Sequence, residues 1–156
     1  MSKIELSASL NDVHRAILEL VQHFGKDDFE RPGVLGDWSV KDLFAHIAYW
    51  NWEAVNSIAQ VARNERPVMM LDVQFDELNE LNAREVAARR AQALPQVMED
   101  FRRSQRALVD ALQKTSEAEL TKVTAHKSGD DKDANAAWIT GGIIDGPLAQ
   151  RGTPSF

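Results

Sequence analysis

The 156-residue sequence contains no cysteine. Disulfide bonds, thiolate zinc sites, iron–sulfur clusters and a cysteine nucleophile are therefore excluded, and any chemistry must come from histidine, carboxylate, hydroxyl or amide groups. Long apolar runs are also absent: no stretch approaches the roughly 18 uncharged apolar residues of a membrane span, and the first residues lack a signal-peptide pattern. We therefore expect a cytoplasmic protein that does not enter a membrane.

Positive charge is in deficit. The 18 lysine and arginine residues against 24 aspartate and glutamate residues give a net charge of −6, and such a field repels a phosphate backbone. The arginines alternate with acidic and apolar residues in the manner of a solvated helix face, so we expect no nucleic-acid partner. One hydrophobic core suffices at this length, and residues 1–156 are predicted to form a single domain.

Apolar residues recur at steps of three and four, which is the period of a helix with one buried face. The first predicted helix carries this stripe over Leu10–Phe24, with Ser7 or Ser9 capping its start and Gly25 ending it. The following segment, Lys26–Asp37, is rich in proline, glycine and charge, and it is predicted to be an irregular connection rather than a helix or strand.

The second predicted helix runs from Val40 to about Arg63. Ser39 is expected to cap it, and Asp42 to reach back to the Ser39 amide in a variant of the capping box. Its apolar face covers roughly 140° of the helix, which is more than one neighbour can bury. A homodimer is expected because isologous dimers are the commonest oligomers and would cover part of this face, although a bundle core can bury it equally well.

A third helical region is predicted to begin near Asp72 or Asp76, after a connection over Arg66–Val73, and to continue to about Lys114. Pro95 lies inside this region. Because proline lacks the main-chain donor and clashes with the preceding turn, the sequence predicts a kink or break there.

The last predicted helix begins near Asp133 and is expected to stop near Asp145, since Gly146 and Pro147 follow. No strand pattern, internal repeat or low-complexity tract competes with a helical interpretation. Four main helices with short and medium connections predict an all-α fold, a four-helix bundle.

The two histidines of the first predicted helix cannot hold one metal ion together. His14 lies at the edge of the apolar stripe and His23 lies on the opposite side of the helix. Both are predicted to be surface residues. His126 falls in a polar loop over Thr121–Asp133.

A polar and aromatic stripe borders the apolar face of the second predicted helix. At 100° per residue, five side chains fall within about 60° of His46: Asp42, Tyr49, Trp50, Glu53 and Ser57. Such a stripe can line the mouth of a bundle, with an imidazole for metal binding or proton transfer and carboxylates to orient it. The alternative is an ordinary surface pair of Asp42 and His46 beside a solvated Glu53.

Three stretches of the sequence resemble a known group of helical bundles. GDWSVKDLFAHIAYWNWE closely resembles the second-helix signature of the DinB-like (YfiT-like) four-helix bundles, in particular the ClbS/DfsB branch. FDELNELNAREVAARRAQALPQVMEDFRRSQRALVDAL is similar to that branch's third helix, and AAWITGGIID to the start of its last helix. The superfamily includes the metal-binding domain of mycothiol-dependent maleylpyruvate isomerase, and the branch includes a protein that opens the cyclopropane of a bacterial genotoxin. The resemblance covers Leu10 to Asp145 and implies the same bundle.

The resemblance also implies where a metal ion would bind. In the metal-binding members one histidine comes from the second helix and two more, four residues apart, come from the last helix. His46 matches the first position, whereas Gly146 and Gln150 fall at the other two. Neither is a good zinc or nickel ligand, so we expect a degenerate metal site and no resident cofactor. A zinc or nickel site would have to recruit Glu53 or Asp145.

Three functions are consistent with this resemblance. The first is a metal-free bundle that acts on or binds a small electrophilic or xenobiotic molecule, with His46, Glu53 or Asp145 as acid or base. The second is a non-catalytic, stress-related binding bundle, and the third is a metal-dependent thiol S-transferase or hydrolase that uses His46. Four residues would bind the small molecule in the first case: Trp50, Trp138 and Ile143 through apolar contact, and Asn82 as a hydrogen-bond donor. Core packing is the alternative role of both tryptophans.

Overall fold

The computed structural model describes residues 1–67, 75–128 and 132–149, except for the side chains of residues 75, 76 and 146–149. Within these ranges the chain is all-helical, as expected, and contains no β-strand. The helices are α1 (Lys3–Leu20), α2 (Lys26–Glu30), α3 (Val40–Ala62), α4 (Phe75–Arg89), α5 (Leu94–Lys114), α6 (Glu117–Leu120) and α7 (Ala136–Ala149).

Helices α1, α3, α5 and α7 form the bundle, and α4 lies against α3. The most extensive contact joins α3 to α5, and α3 also contacts α7 and α4. One core cluster joins α1, α3, α5 and α7, with Leu10, Ile58, Leu108 and Ile139 among its members. A second joins α2, α3 and α5 around Phe29 and two further phenylalanines, Phe44 and Phe101. The expected four-helix architecture is confirmed.

The wide apolar face of α3 is buried inside this bundle. Val40, Phe44, Ala48, Ile58 and Val61 are all shielded from solvent by the other helices of the chain. A dimer is therefore not needed to cover the face, and the homodimer stays a prediction. No helix in the described ranges is long and apolar enough to cross a membrane.

The predicted start of α3 is confirmed. The Ser39 hydroxyl accepts a hydrogen bond from the Asp42 amide at 3.1 Å, and the Asp42 carboxylate accepts one from the Ser39 amide at 3.0 Å. These two bonds satisfy main-chain donors that a helix terminus otherwise leaves unpaired. The first turn of α3 is therefore fixed, and with it the direction in which His46 projects.

The break predicted at Pro95 is also confirmed. Helix α4 ends at Arg89 and α5 begins at Leu94, so that Pro95 lies in the first turn of a new helix. A first-turn amide has no partner within its own helix, and the missing proline donor therefore costs nothing there. The start of α4 at Phe75 lies one residue from the predicted Asp76, whereas most of the connection before it lies outside the described residues.

The start and end of α1 differ from the prediction. Ser2 caps the helix in a complete capping box with Glu5, so Ser7 and Ser9 lie inside the helix rather than at its start. Helix α1 ends at Leu20, and Gly25 has φ −84°, which is not the left-handed conformation expected of a helix-ending glycine. The helix begins at Ser2 rather than at Ser7 or Ser9 because Ser2 and Glu5 together satisfy more main-chain donors than a serine alone does.

The connection after α1 is not wholly irregular, because α2 occupies Lys26–Glu30. The Asp28 carboxylate accepts a hydrogen bond from the Gly25 amide at 2.9 Å. Phe29 is buried with its ring centroid 6.0 Å from that of Phe44. Burial of this one aromatic side chain holds a short helix that local propensity alone does not support.

Helix α7 is longer than predicted. It begins at Ala136, where the Asn135 side chain accepts a hydrogen bond from the Trp138 amide at 3.0 Å, and it continues to Ala149. The predicted stop near Asp145 is therefore wrong. Pro147 removes one main-chain donor near the end of the helix, and that single loss does not end a helix whose other main-chain bonds remain.

The prediction for His14 is wrong as well, whereas His23 is exposed as expected. Only 6% of the His14 surface is accessible. Its ring lies edge-on to Phe101 of α5, with the centroids 6.0 Å apart. A residue at the edge of an apolar stripe is buried when the neighbouring helix brings a large ring against it, and the sequence of α1 alone does not reveal that neighbour.

Candidate functional site

His46 lies in the second turn of the capped helix α3, beside Trp38 of the preceding loop. The two ring centroids are 5.2 Å apart. Burial lowers the pKa of His46 to about 4, because a charged imidazolium would lose its hydration there. At neutral pH the ring is therefore uncharged, and it can act as a neutral donor or acceptor of hydrogen bonds.

Asp42 does not pair with His46, so the surface pair considered from the sequence is absent. Its buried carboxylate instead serves the cap of α3 and accepts a charged contact from Arg90 at 3.3 Å. Arg90 also reaches Asp37 at 3.2 Å. Asp42 therefore ties the start of α3 to the end of α4, and it is not available to orient the imidazole.

Trp50 and Asn82 are the two predicted binding residues that the structure brings together. The Trp50 indole N–H donates to the Asn82 side-chain oxygen at 2.9 Å, which links α3 to α4. Both side chains are half-buried. The Asn82 amide nitrogen makes no hydrogen bond within the described residues, so its N–H groups remain available to a ligand.

Glu53 lies one turn beyond Tyr49 on the same face of α3. Desolvation, followed by the charge of Glu85 on α4, raises the pKa of the Glu53 carboxyl. Desolvation and the charges of Glu53 and Glu85 also raise the pKa of the Tyr49 phenol. We refer to Tyr49, Trp50, Glu53, Asn82 and Glu85 as the α3–α4 cluster.

Two arginines partly offset the acidity of this cluster: Arg84 lies 3.6 Å from the Glu85 carboxylate, and Arg89 contacts both Glu85 and Tyr49. Arg89 pairs with Glu85 at 2.9 Å, and its guanidinium carbon lies 5.4 Å from the centroid of the Tyr49 ring. By contrast, Glu53 makes no ion pair or hydrogen bond with any described residue. The cluster therefore contains one carboxyl that is half-buried, close to a second carboxyl and unpaired, which is the usual environment of an acid with a raised pKa.

The remaining predicted site residues lie elsewhere. Trp138 and Ile143 are half-buried and pack against the core cluster that joins α1, α3, α5 and α7. Asp145 is exposed on α7. No hydrogen bond or ion pair within the described ranges joins Asp145 or His46 to Glu53, so the three proposed acid or base groups are not assembled as one unit.

The described residues do not provide the metal centre that the resemblance implies. In the described ranges no three histidine, aspartate or glutamate side chains lie close enough together to hold a metal ion. His46 supplies one imidazole. The second implied position is Gly146, which has no side chain, and the third, Gln150, lies outside the described residues. His126 lies in the loop beside Asn64, with its ring nitrogen 3.4 Å from the Asn64 carbonyl oxygen.

Two grooves on the described surface are separate from these residues. One, of about 590 Å³, lies between α1 and α5, and the other, of about 480 Å³, lies among α3, α5, α6 and α7. Neither is lined by His46, by Asp145 or by any member of the α3–α4 cluster.

Sequence reasoning assigned no role to Glu85, Arg89 or Trp38. A signal for the first two was present, since glutamate and arginine four residues apart on a helix form a surface pair. Glu85 and Arg89 approach Tyr49 because of the way α4 lies against α3. The spacing of residues within one helix does not predict that packing. Trp38 precedes the cap of α3, and its contact with His46 depends on the path of the loop.

Comparison with known proteins gives one match. A family model described as the mycothiol maleylpyruvate isomerase N-terminal domain matches residues 10–143. The match extends from α1 into α7 and ends before Gly146. No curated protein and no solved structure matches the chain.

Proposed function

Because the chain belongs to the family of mycothiol maleylpyruvate isomerase N-terminal domains, itself part of the DinB-like superfamily, we propose that it binds a small electrophilic molecule at the α3–α4 cluster. We further propose that Glu53 acts there as a proton donor and acceptor without a metal ion. The observation that carries this proposal is the unpaired, half-buried Glu53 carboxyl, whose pKa is raised by desolvation and by Glu85. Such a carboxyl keeps its proton closer to neutral pH than an exposed one does.

The neighbouring groups suit an uncharged substrate with an apolar part and a polar atom. Tyr49 and Trp50 present aromatic surface beside Glu53, with their rings 5.3 Å apart in an edge-to-face arrangement. The free N–H groups of Asn82 can donate to an oxygen or nitrogen of the substrate. The predicted role of Asn82 as a donor thus remains part of the proposal.

The proposed reaction is addition of a nucleophile, water or a low-molecular-weight thiol, to an electrophilic carbon. A bond forms between nucleophile and carbon while the bond from that carbon to its leaving atom breaks. The Glu53 carboxyl gives its proton to the atom that develops negative charge, and the proton released by the nucleophile restores the carboxyl. The net change is addition of the nucleophile and its proton across one bond, as in the ring opening of the ClbS/DfsB branch.

Two other functions compete with this proposal. Binding without catalysis is favoured by the bond between Trp50 and Asn82, because that bond occupies the indole donor in a structural link between helices. The metal-dependent thiol S-transferase or hydrolase rests on His46 alone, since the described residues provide no second and third ligand beside it. His46 and Asp145 stay candidate acid or base groups, and Trp138 and Ile143 stay candidate apolar contacts.

The proposal is tested by turnover of chelator-treated protein with mycothiol or water as nucleophile and styrene oxide, an uncharged electrophile with an aromatic part, as substrate. We expect metal-independent product formation that falls at least about 100-fold in Glu53→Gln, which retains shape but cannot transfer the proton. Glu80→Gln is the matched control, because Glu80 is exposed on α4.

Three results would point away from Glu53. Unchanged turnover in Glu53→Gln would show that Glu53 does not transfer the proton. Turnover that requires zinc or nickel and disappears in His46→Ala would establish the metal-dependent function. Saturable quenching of tryptophan fluorescence without turnover would establish the binding function.

A further inference from the structure

Tyr49 of the α3–α4 cluster is the only tyrosine of the chain, and its hydroxyl group is not used by the fold. Within the described residues this hydroxyl makes no hydrogen bond. It is also not one of the side-chain atoms that are fully buried without a partner, which distinguishes it from the Asn51 oxygen. The Tyr49 hydroxyl is therefore accessible to a molecule bound in the cluster.

The ring of Tyr49 is held by contacts from two helices. On α3 it meets the Trp50 ring edge-to-face, with the centroids 5.3 Å apart. From α4 the Arg89 guanidinium carbon lies 5.4 Å from the centre of the Tyr49 ring, and Arg89 is itself paired with Glu85 at 2.9 Å. Because these contacts limit rotation of the ring, the hydroxyl is a positioned donor rather than a mobile surface group.

The surroundings of the phenol keep its proton in place. Desolvation and the charges of Glu53 and Glu85 raise the pKa of Tyr49, and they outweigh Arg84 and Arg89, which lower it. At neutral pH the phenol is therefore uncharged and can donate a hydrogen bond. The same face of α3 thus presents a phenol donor and, one turn further on, the Glu53 carboxyl.

A fixed, neutral donor favours one class of electrophile. When a bond from carbon to oxygen breaks, the oxygen gains negative charge and accepts a hydrogen bond more strongly than before. A donor placed beside that oxygen therefore stabilises the transition state more than the bound substrate. A halide leaves as a stable anion that needs no proton, so the same donor contributes less to its departure.

We propose that the α3–α4 cluster selects electrophiles whose leaving atom is oxygen, in particular strained cyclic ethers, and that the Tyr49 hydroxyl donates a hydrogen bond to that oxygen. This inference rests on the function proposed for Glu53. With an epoxide, the oxygen of water bonds to a ring carbon, the bond from that carbon to the ring oxygen breaks, and the ring oxygen takes the Glu53 proton. A proton from the water restores the Glu53 carboxyl, Tyr49 keeps its own proton, and the product is a 1,2-diol.

Hydrolysis of styrene oxide and of benzyl chloride by wild type and Tyr49→Phe tests this selectivity. The variant keeps the ring contacts with Trp50 and Arg89 and lacks only the hydroxyl. We expect kcat for styrene oxide to fall at least about 30-fold with little change in KM, and kcat for benzyl chloride to change less than about threefold. Equal losses with both electrophiles, or no loss with styrene oxide, overturn the proposal.

Glu53→Gln separates this inference from the proposed function. Loss of styrene oxide turnover in Glu53→Gln with wild-type kcat in Tyr49→Phe removes the role of Tyr49 alone. The reverse pattern removes proton transfer by Glu53 and leaves the role of Tyr49 standing.

A binding measurement tests the hydrogen bond without turnover. Because the chain has one tyrosine, labelling tyrosine with ¹³C at Cζ gives a single resonance, which reports on the Tyr49 hydroxyl. Acetophenone carries an acceptor oxygen beside a phenyl ring, and toluene lacks the oxygen. We expect acetophenone to shift the resonance saturably, with Kd on the order of 1 mM for a ligand of this size, and toluene to shift it much less. No shift with acetophenone, or an equal shift with toluene, overturns the proposal.

Discussion

The Trp50 indole and the Asn82 amide are joined by a hydrogen bond of 2.9 Å that connects α3 to α4. Among the side chains that the structure describes, neither core cluster includes one from α4, although Leu81 and Val86 of that helix are buried. The bond is thus one of a small set of specific contacts that fix α4 on the bundle. It also fixes the orientation of the aromatic face beside Glu53.

A double-mutant cycle measures the strength of this link. Trp50→Phe and Asn82→Ala should each lower the free energy of unfolding, with a coupling energy of about 1 kcal/mol, because each removes one partner of the same bond. Urea denaturation of the four proteins gives this value. Trp52→Phe is the matched control, since the Trp52 indole donates to Asp100 and not to Asn82. Additive effects of Trp50→Phe and Asn82→Ala would contradict the link.

Acid should destabilise the protein through His14, which is buried, and His46, which is half-buried. Burial lowers the pKa of His14 and of His46 to about 4, from 6.5 in an exposed histidine. The unfolded chain therefore binds protons first as the pH falls below 6.5, and stability that is complete above that pH is lost progressively down to about 4. Each group contributes no more than roughly 3 kcal/mol.

The histidine contribution is isolated by comparing urea denaturation of wild type and His14→Phe across this pH window. The variant should show a shallower loss of stability on acidification, because one titrating group is removed. His23→Phe changes an exposed residue of the segment after α1 and should retain the wild-type slope. Equal slopes in all three proteins would show that His14 is not desolvated on folding.

The buried polar pair of Asn51 and Ser104 predicts an unusual mutational pattern. The Asn51 amide nitrogen donates to the Ser104 hydroxyl at 3.1 Å, and the Asn51 oxygen is buried without a hydrogen-bond partner. Ser104→Ala should lower the free energy of unfolding by about 1–3 kcal/mol, because it leaves the amide nitrogen unpaired too. Adding Asn51→Leu should recover most of that loss. A double variant less stable than Ser104→Ala would contradict the argument.

Metal content tests whether His46 is part of a metal centre. Elemental analysis of untagged protein should find zinc and nickel far below one ion per chain, because no group of three potential ligands lies close together among the described residues. Titration with either metal should give the same weak binding in wild type and His46→Ala. Near-stoichiometric metal that disappears in His46→Ala would contradict this prediction.

The sequence predicts a structural feature correctly where that feature depends on residues close together along the chain. Ser39 and Asp42 specify the start of α3 because both partners of the capping box lie within one turn. Pro95 specifies the break between α4 and α5 because its ring and missing donor act on the same helix. The bundle itself follows from the spacing of apolar residues, which each helix carries independently.

The sequence was less informative where a feature depends on contact between helices. His14 is buried because Phe101 of another helix covers it, and α2 exists because Phe29 docks on Phe44. The same limit applies to the candidate site. Periodicity placed His46 and Glu53 on one stripe of α3, but the approach of Glu85 from α4 gives Glu53 its environment, and the pairing of Asn82 with Trp50 depends on the same approach.

The described side chains of α4 lie outside both core clusters, and this has a consequence for hydrogen exchange. Amide protons of α4 should exchange through a local opening that leaves α3 and α5 protected, since its detachment from α3 disrupts neither cluster. That opening separates Asn82 from Trp50 and removes Glu85 from Glu53. A molecule that binds the α3–α4 cluster must therefore slow amide exchange in α4. The exchange rate of this helix thus reports whether the cluster has bound a ligand, even when the substrate is not known.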